Sequence, residues 1–153
     1  PDRDIVLIGE PGTGHEARVR LGRIGFDRVV GELDDPLAAF VSRPDLVEPA
    51  SRLTAEQFDQ RRHEVDDLVI LDVRNESETT AGRVPGAHVV PLPRLLTELP
   101  SLDLSRPTVV YGAGGYRSSI AASVLRSAGA VDVSDVVGGY DAWAQGHDDR
   151  ALV

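Results

Sequence analysis

No cysteine occurs anywhere in the 153 residues. That absence removes disulfides, thiolate metal sites and any persulfide mechanism carried by a side-chain sulfur of this chain. Lysine is missing as well, every basic residue being arginine, so Schiff-base chemistry and a phosphate-loop lysine are excluded. No apolar run approaches membrane-spanning length, and the N-terminus lacks the basic, apolar, small-residue order of a signal peptide. The chain therefore reads as soluble and cytoplasmic, with no membrane partner. Positive charge is also short: a formal net charge of -9 argues against nucleic acid or an anionic membrane, since both demand a basic face. His15, His63, His88 and His147 are scattered without metal-ligand spacing; no metal and no cofactor are expected.

What is present suffices for one α/β domain and an appendage. Apolar residues make up 41% of the chain, and a chain of this length buries about 68–70% of its unfolded surface. The most informative stretch is Val109-Val110-Tyr111-Gly112-Ala113-Gly114-Gly115-Tyr116-Arg117-Ser118-Ser119, a short apolar run joined to a helical pattern through a glycine-rich loop. Ile120, Ala121, Val124, Leu125 and Ala128 follow at helical spacing, and Gly129 sits where a left-handed cap is wanted. The loop thus ends at a helix N-terminus, where unpaired backbone N–H groups from Ala113 to Ser118 and the positive end of the helix dipole can hold an anion. Arg117 adds a full charge beside them.

Earlier in the chain, Ile5-Val6-Leu7-Ile8 runs into Gly9-Glu10-Pro11-Gly12-Thr13-Gly14, which at first sight is a nucleotide loop. His15 and Glu16 stand at the positions that contact phosphate and magnesium, and a carboxylate there repels the ligand, so a plain strand-to-helix turn is expected. The segment instead repeats the central stretch. Ala17, Leu21, Ile24 and Gly25 mirror Ala121, Leu125, Ala128 and Gly129, and Val29-Val30-Gly31 mirrors Val136-Val137-Gly138.

Residues 34–51 carry Pro36, Pro44 and Pro49 and read as a linker with a short helical turn at Leu37–Phe40. Thr54 with Gln57 makes a capping box, Leu53 with Phe58 a hydrophobic staple, so a helix starts near Ala55. Leu68–Leu71 reads as a strand covered on both faces, delivering Asp72 and Arg74 to its C-terminal end. An internal ion pair bracing loops is favoured for these two over substrate contact, because a lone carboxylate beside an anion site opposes binding; the same holds for Glu78. Pro85-Gly86 turns into a short strand at His88–Val90. Pro93 then starts a helix with Leu92, Leu95, Leu96 and Leu99 as its stripe. Val131–Val133 and Val136–Val137 give the last strand, and Gly138-Gly139 leads into a helix whose Trp143 is read as a packing residue.

Leu71-Asp72-Val73-Arg74, Glu78, Gly82-Arg83-Val84-Pro85-Gly86-Ala87, the central loop and Gly138-Gly139-Tyr140-Asp141-Ala142-Trp143 together resemble the rhodanese (thiosulfate sulfurtransferase) domain. The resemblance implies a central mostly parallel sheet flanked by helices on both faces, preceded here by a partial second β-α-β unit. The family's loop pattern falls on Gly112, Gly115, Arg117 and Ser118, which puts Gly112 where the nucleophilic cysteine belongs. Arg83 stands where the family usually has histidine. Four residues separate Gly112 from Arg117, the sulfurtransferase length rather than that of the related phosphatases.

The implied organisation is the rear half of a degenerate rhodanese-like unit at 1–33, a linker at 34–51, a rhodanese-like domain at 52–148 and a tail at 149–153. Such a tandem resembles the tail of metallo-β-lactamase-fold fusion proteins, so an upstream enzymatic domain is expected as partner within a larger bacterial protein. With no nucleophile and no histidine in sequence beside Ser118 or Ser119, the expected role is catalytically silent. A small sulfur anion would be held without a covalent bond by Gly112, Ala113, Gly114, Gly115, Tyr116, Arg117 and Ser118, or the domain would act as a scaffold. The alternative is a sulfurtransferase whose cysteine is altered in this chain or supplied by a partner. A half repeat with an apolar edge strand is prone to pair with another chain, which leaves a homodimer open.

Overall fold

The structure, a computed structural model, describes residues 3–147; the expected tail at 149–153 lies outside them. Chain contacts divide it into two compact units, residues 1–49 and 50–153.

In the first unit, β1 (Ile5–Ile8), α1 (Gly14–Arg23) and β2 (Val29–Leu33) form a β-α-β turn with the two strands parallel. The end of α1 carries a cap in which Phe26 N–H donates to Leu21 O and Gly25 N–H to Gly22 O, with Gly25 at φ +85°. The corresponding end of α6 (Tyr116–Ser127) in the second unit has the same two bonds, Ala130 N–H to Leu125 O and Gly129 N–H to Arg126 O, with Gly129 at φ +102°. The likeness stops at the next strand. β2 continues through Gly31 to pair Glu32 and Leu33 with β1, whereas Gly138, at φ +74°, turns the chain out of its strand into a helix.

Residues 34–51 hold more regular structure than a connector. Asp35 caps α2 (Pro36–Ser42) by accepting from Ala38 N–H, Pro36 supplies a preset first turn, and a 3-10 turn follows at Pro44–Leu46.

The second unit is built on a five-stranded sheet in the order β3-β7-β6-β4-β5, with every pairing parallel. Its elements are β3 (Ser51–Leu53), α3 (Ala55–Glu64), β4 (Val69–Asp72), α4 (Glu76–Thr79), β5 (His88–Val89), α5 (Leu95–Glu98), β6 (Thr108–Tyr111), α6, β7 (Val133–Val136) and α7 (Gly139–Gln145). Both hydrogen bonds of the Thr54–Gln57 capping box are present at the start of α3. β6 is central and entirely buried, and its alternation sends residues to opposite faces. Val110 joins Leu71, Leu95, Ala121, Ala122 and Leu125 in one core under α5 and α6. Val109 and Tyr111 join Phe58, Ile70, Val136 and Trp143 in the other, under α3 and α7.

The leucine stripe expected after Pro93 is only partly realised. Pro93 and Pro100 confine α5 to a single turn between 3-10 turns at Leu92–Arg94 and Leu99–Ser101. Leu95 is buried and Leu96 is exposed. Among the described residues no helix is long and apolar enough to cross a membrane.

Candidate functional site

The site lies at the C-terminal ends of the strands, where a parallel sheet leaves a crevice. β6 ends at Tyr111, and residues 112–115 form the loop that enters α6. Gly115 occupies the N-cap at φ +96°, a conformation that favours glycine. Its pro-Cβ direction is also closed by the backbone of Val136 and Gly138, at 3.4 and 3.2 Å.

The loop's polarity is set by where its carbonyls go. Gly112 O accepts from Tyr140 N–H at 2.7 Å and Ala113 O from Asp141 N–H at 3.1 Å, both in the first turn of α7. Gly115 O accepts from Ser119 N–H and from the Ser118 hydroxyl. With those oxygens engaged, none of the N–H groups from Ala113 to Ser118 donates to a protein acceptor among the described residues. They form a run of donors without a protein acceptor among the described residues, at the positive end of a 12-residue helix.

This explains Gly139. At φ +57° it brings α7 so close that a Cβ there would sit 2.4 Å from Gly112 O and 2.3 Å from Ala113 O, so the Gly138-Gly139 pair is a loop brace as much as a turn.

Gly112 itself is not in the left-handed region, and a Cβ built on it would lie 3.4 Å from Ser118 N, 3.8 Å from Arg117 N and 3.3 Å from Arg117 Cβ. A side chain at 112 would therefore lie against the Arg117 and Ser118 end of the donor run. Ser118, the nearest hydroxyl by sequence, is buried and donates to Gly115 O. Ser119 is half-buried and donates to Tyr116 O, and the Tyr116 ring stands in solvent.

Asp72 and Arg74 form a buried bidentate pair, with contacts of 2.7 to 3.1 Å. Tyr111 donates its phenol proton to Asp72 at 2.7 Å, and Arg74 also donates to Gly82 O. The guanidinium lies 3.9 Å from the Tyr140 ring centroid, so the network clamps both the residue before Gly112 and the one that donates to it. Burial, and then the Asp72 carboxylate, push the Tyr111 phenol well above its ordinary pKa, which keeps it a proton donor.

Arg117, expected to face the anion, is paired instead. Its guanidinium donates to both Glu78 oxygens at 2.6 and 2.7 Å, and Glu78 accepts in addition from Asn75 N–H within the capping box of α4. Sequence reasoning treats Glu78 as a brace but does not find this partner, which lies 39 residues away. The Arg117 hydrogen bonds hold the Glu78 carboxyl at about 2 rather than its usual 4.5. Arg83 is exposed.

A depressed carboxylate stabilises the fold above its unfolded pKa and loses that contribution as pH falls toward the folded value. The native chain is therefore expected to lose stability relative to Glu78→Gln between about pH 4.5 and 2, as read by urea unfolding at stepped pH. An equal acid dependence in both proteins would contradict the pair.

Trp143 is buried, with its indole N–H on Asp59 at 3.3 Å, a packing position. In the first unit the Glu32 carboxylate lies where a Cβ on Gly14 would be, at about 2.0 Å, so the start of α1 already faces an acidic side chain.

The profile of the rhodanese-like domain matches residues 54–146. A sulfurtransferase from Allochromatium vinosum is 27% identical over 95 residues, covering 62% of this chain and 89% of that protein. The thiosulfate sulfurtransferase GlpE of Pseudoalteromonas translucida is 27% identical over 85 residues, 56% of this chain and 81% of that one. Among solved structures, a rhodanese-like domain protein from Staphylococcus aureus superposes with a TM-score of 0.59 at 28% identity, covering 67% of this chain and 96% of its own. With the family match spanning residues 54–146, which include the donor loop and α7, the chain belongs to the rhodanese-like domain family.

Proposed function

We propose that this is a catalytically silent rhodanese-like domain whose loop holds a small sulfur anion, an oxyanion or the end of a persulfide, without a covalent bond. The observation that carries the reading is the run of N–H groups from Ala113 to Ser118 without a protein acceptor among the described residues, of which those of Arg117 and Ser118 lie within 4 Å of where a Cβ on Gly112 would be. Charge-assisted hydrogen bonds to such donors contribute about 1.5–3 kcal/mol each, enough for a weak, reversible site. Relatives named as sulfurtransferases support sulfur as the ligand's element. The β1-α1-β2 turn, with its helix cap matching that of α6, supports a degenerate first unit. The domain then serves as a binding or scaffolding part of a larger cytoplasmic sulfur-metabolism or hydrolase protein, the metallo-β-lactamase fusion being the arrangement it resembles.

The test joins turnover to binding. The chain is expected to form no thiocyanate from thiosulfate and cyanide above the buffer blank, yet to bind a sulfur anion from a panel of sulfide, sulfite and thiosulfate in calorimetry. Gly139→Ala, whose Cβ meets two loop carbonyls, is expected to weaken that binding about tenfold or more, or about 1.4 kcal/mol. Turnover by the native chain, or binding unmoved in Gly139→Ala, would contradict the reading.

A further inference from the structure

The charges around the loop cancel in pairs. Arg117 begins at the loop's mouth, its Cβ 3.3 Å from where a Cβ on Gly112 would be, but both of its terminal nitrogens are spent on Glu78. Glu78 is not a loose surface carboxylate, because its bond to Asn75 N–H anchors it at the start of α4. Arg74 is likewise bidentate on Asp72, with its remaining donation on Gly82 O. Arg117 and Arg74 are thus each matched by a carboxylate, and the attraction that the loop itself offers a ligand comes from neutral amides and the helix dipole.

That balance discriminates by charge. The cost of stripping water from an ion rises with the square of its charge, whereas its attraction to fixed dipoles rises only in proportion. Without a net countercharge, a second negative charge adds more desolvation cost than the amides return.

Resting on the anion-holding reading above, we propose that Glu78 sets the ligand class of the loop. By occupying Arg117, it fits the cradle to a singly charged terminal sulfur, a hydrosulfide or persulfide end, and against a doubly charged oxyanion. Glu78 is in this sense a specificity-determining residue that competes with dianions for the loop arginine.

The experiment follows the amide resonances of residues 113–118 in the ¹⁵N-labelled chain during titration with sodium hydrosulfide and with sodium thiosulfate, in the native protein and in Glu78→Gln. Glutamine keeps an oxygen for Asn75 N–H, so α4 retains its cap. In the native chain hydrosulfide is expected to bind about tenfold more tightly than thiosulfate. In Glu78→Gln, thiosulfate affinity is expected to rise about tenfold while that for hydrosulfide changes less than about threefold. Thiosulfate binding the native chain as well as hydrosulfide does, or gaining nothing in a folded Glu78→Gln, would overturn the proposal and leave the anion site standing. If neither anion moves the loop amides in either protein, the anion-holding reading itself fails and the proposal with it. Should Glu78→Gln not fold, the order of the two anions on the native chain decides.

Discussion

Gly112→Cys is expected to turn thiosulfate and cyanide into thiocyanate at a rate about 10²–10³-fold or more above the native chain, the scale on which well-placed oxyanion donors act. The backbone at 112 is already one an L-residue adopts, and the new Cβ would meet Arg117 Cβ at 3.3 Å and Ser118 N at 3.4 Å, so accommodating it requires the first turn of α6 to give by a few tenths of an ångström. The sulfur would lie over the donor run at the start of α6, where unpaired N–H groups and the helix dipole favour thiolate over thiol. That thiolate would attack the outer sulfur of thiosulfate, the sulfur–sulfur bond would break, and sulfite would leave with the bonding pair. The same N–H groups would hold the resulting persulfide until cyanide removed its outer sulfur and restored the thiolate. A folded variant with no turnover would mean that the cradle does not support thiolate attack on thiosulfate.

Asp72→Ala is expected to destabilise the domain by about 3–5 kcal/mol, the usual cost of removing one partner of a buried ion pair. Asp72 and Arg74 are both buried. Truncation would leave the Arg74 guanidinium with Gly82 O as its sole hydrogen-bond acceptor among the described residues, and the Tyr111 phenol without the carboxylate it donates to. Because Tyr111 precedes Gly112 and Arg74 lies against the Tyr140 ring, the loop should loosen before the sheet melts. Urea unfolding followed by tryptophan fluorescence reads the first effect, since Trp143 sits in the core beside Tyr140. Amide exchange at 112–118 reads the second. A loss under about 1 kcal/mol would show that this pair does little for the fold.

Much of the α/β architecture is legible in the sequence because its signals are local. The apolar run into Tyr111, the helical spacing through Leu125 and the glycine after it each depend on residues within a few positions of one another. The capping box at Thr54 is of the same kind. What escapes is non-local. β3 carries two polar residues out of three and no alternation; it is a strand because Ser51 and Arg52 lie opposite Ser134 and Asp135 on β7 and bond to them. The Leu92–Leu99 stripe satisfies a helical period, but prolines on both sides shorten the helix until Leu96 faces water.

The site divides in the same way. The donor run follows from a glycine-rich loop meeting a helix, and the Asp72–Arg74 pair from two charges one residue apart at a strand end. The engagement of Arg117 by Glu78 cannot be read off the chain, because it depends on where α4 is carried by the loop after β4. Gly139 reads as a turn residue in sequence; only the approach of α7 to the carbonyls of Gly112 and Ala113 reveals it as a brace.

The most direct test of non-covalent anion holding is the amide spectrum of the native chain titrated with hydrosulfide, with the intact mass recorded at saturation. The account predicts saturable shifts concentrated at residues 113–118 and an unchanged mass. A loop spectrum indifferent to the anion, or a protein that gains the mass of sulfur, would contradict it.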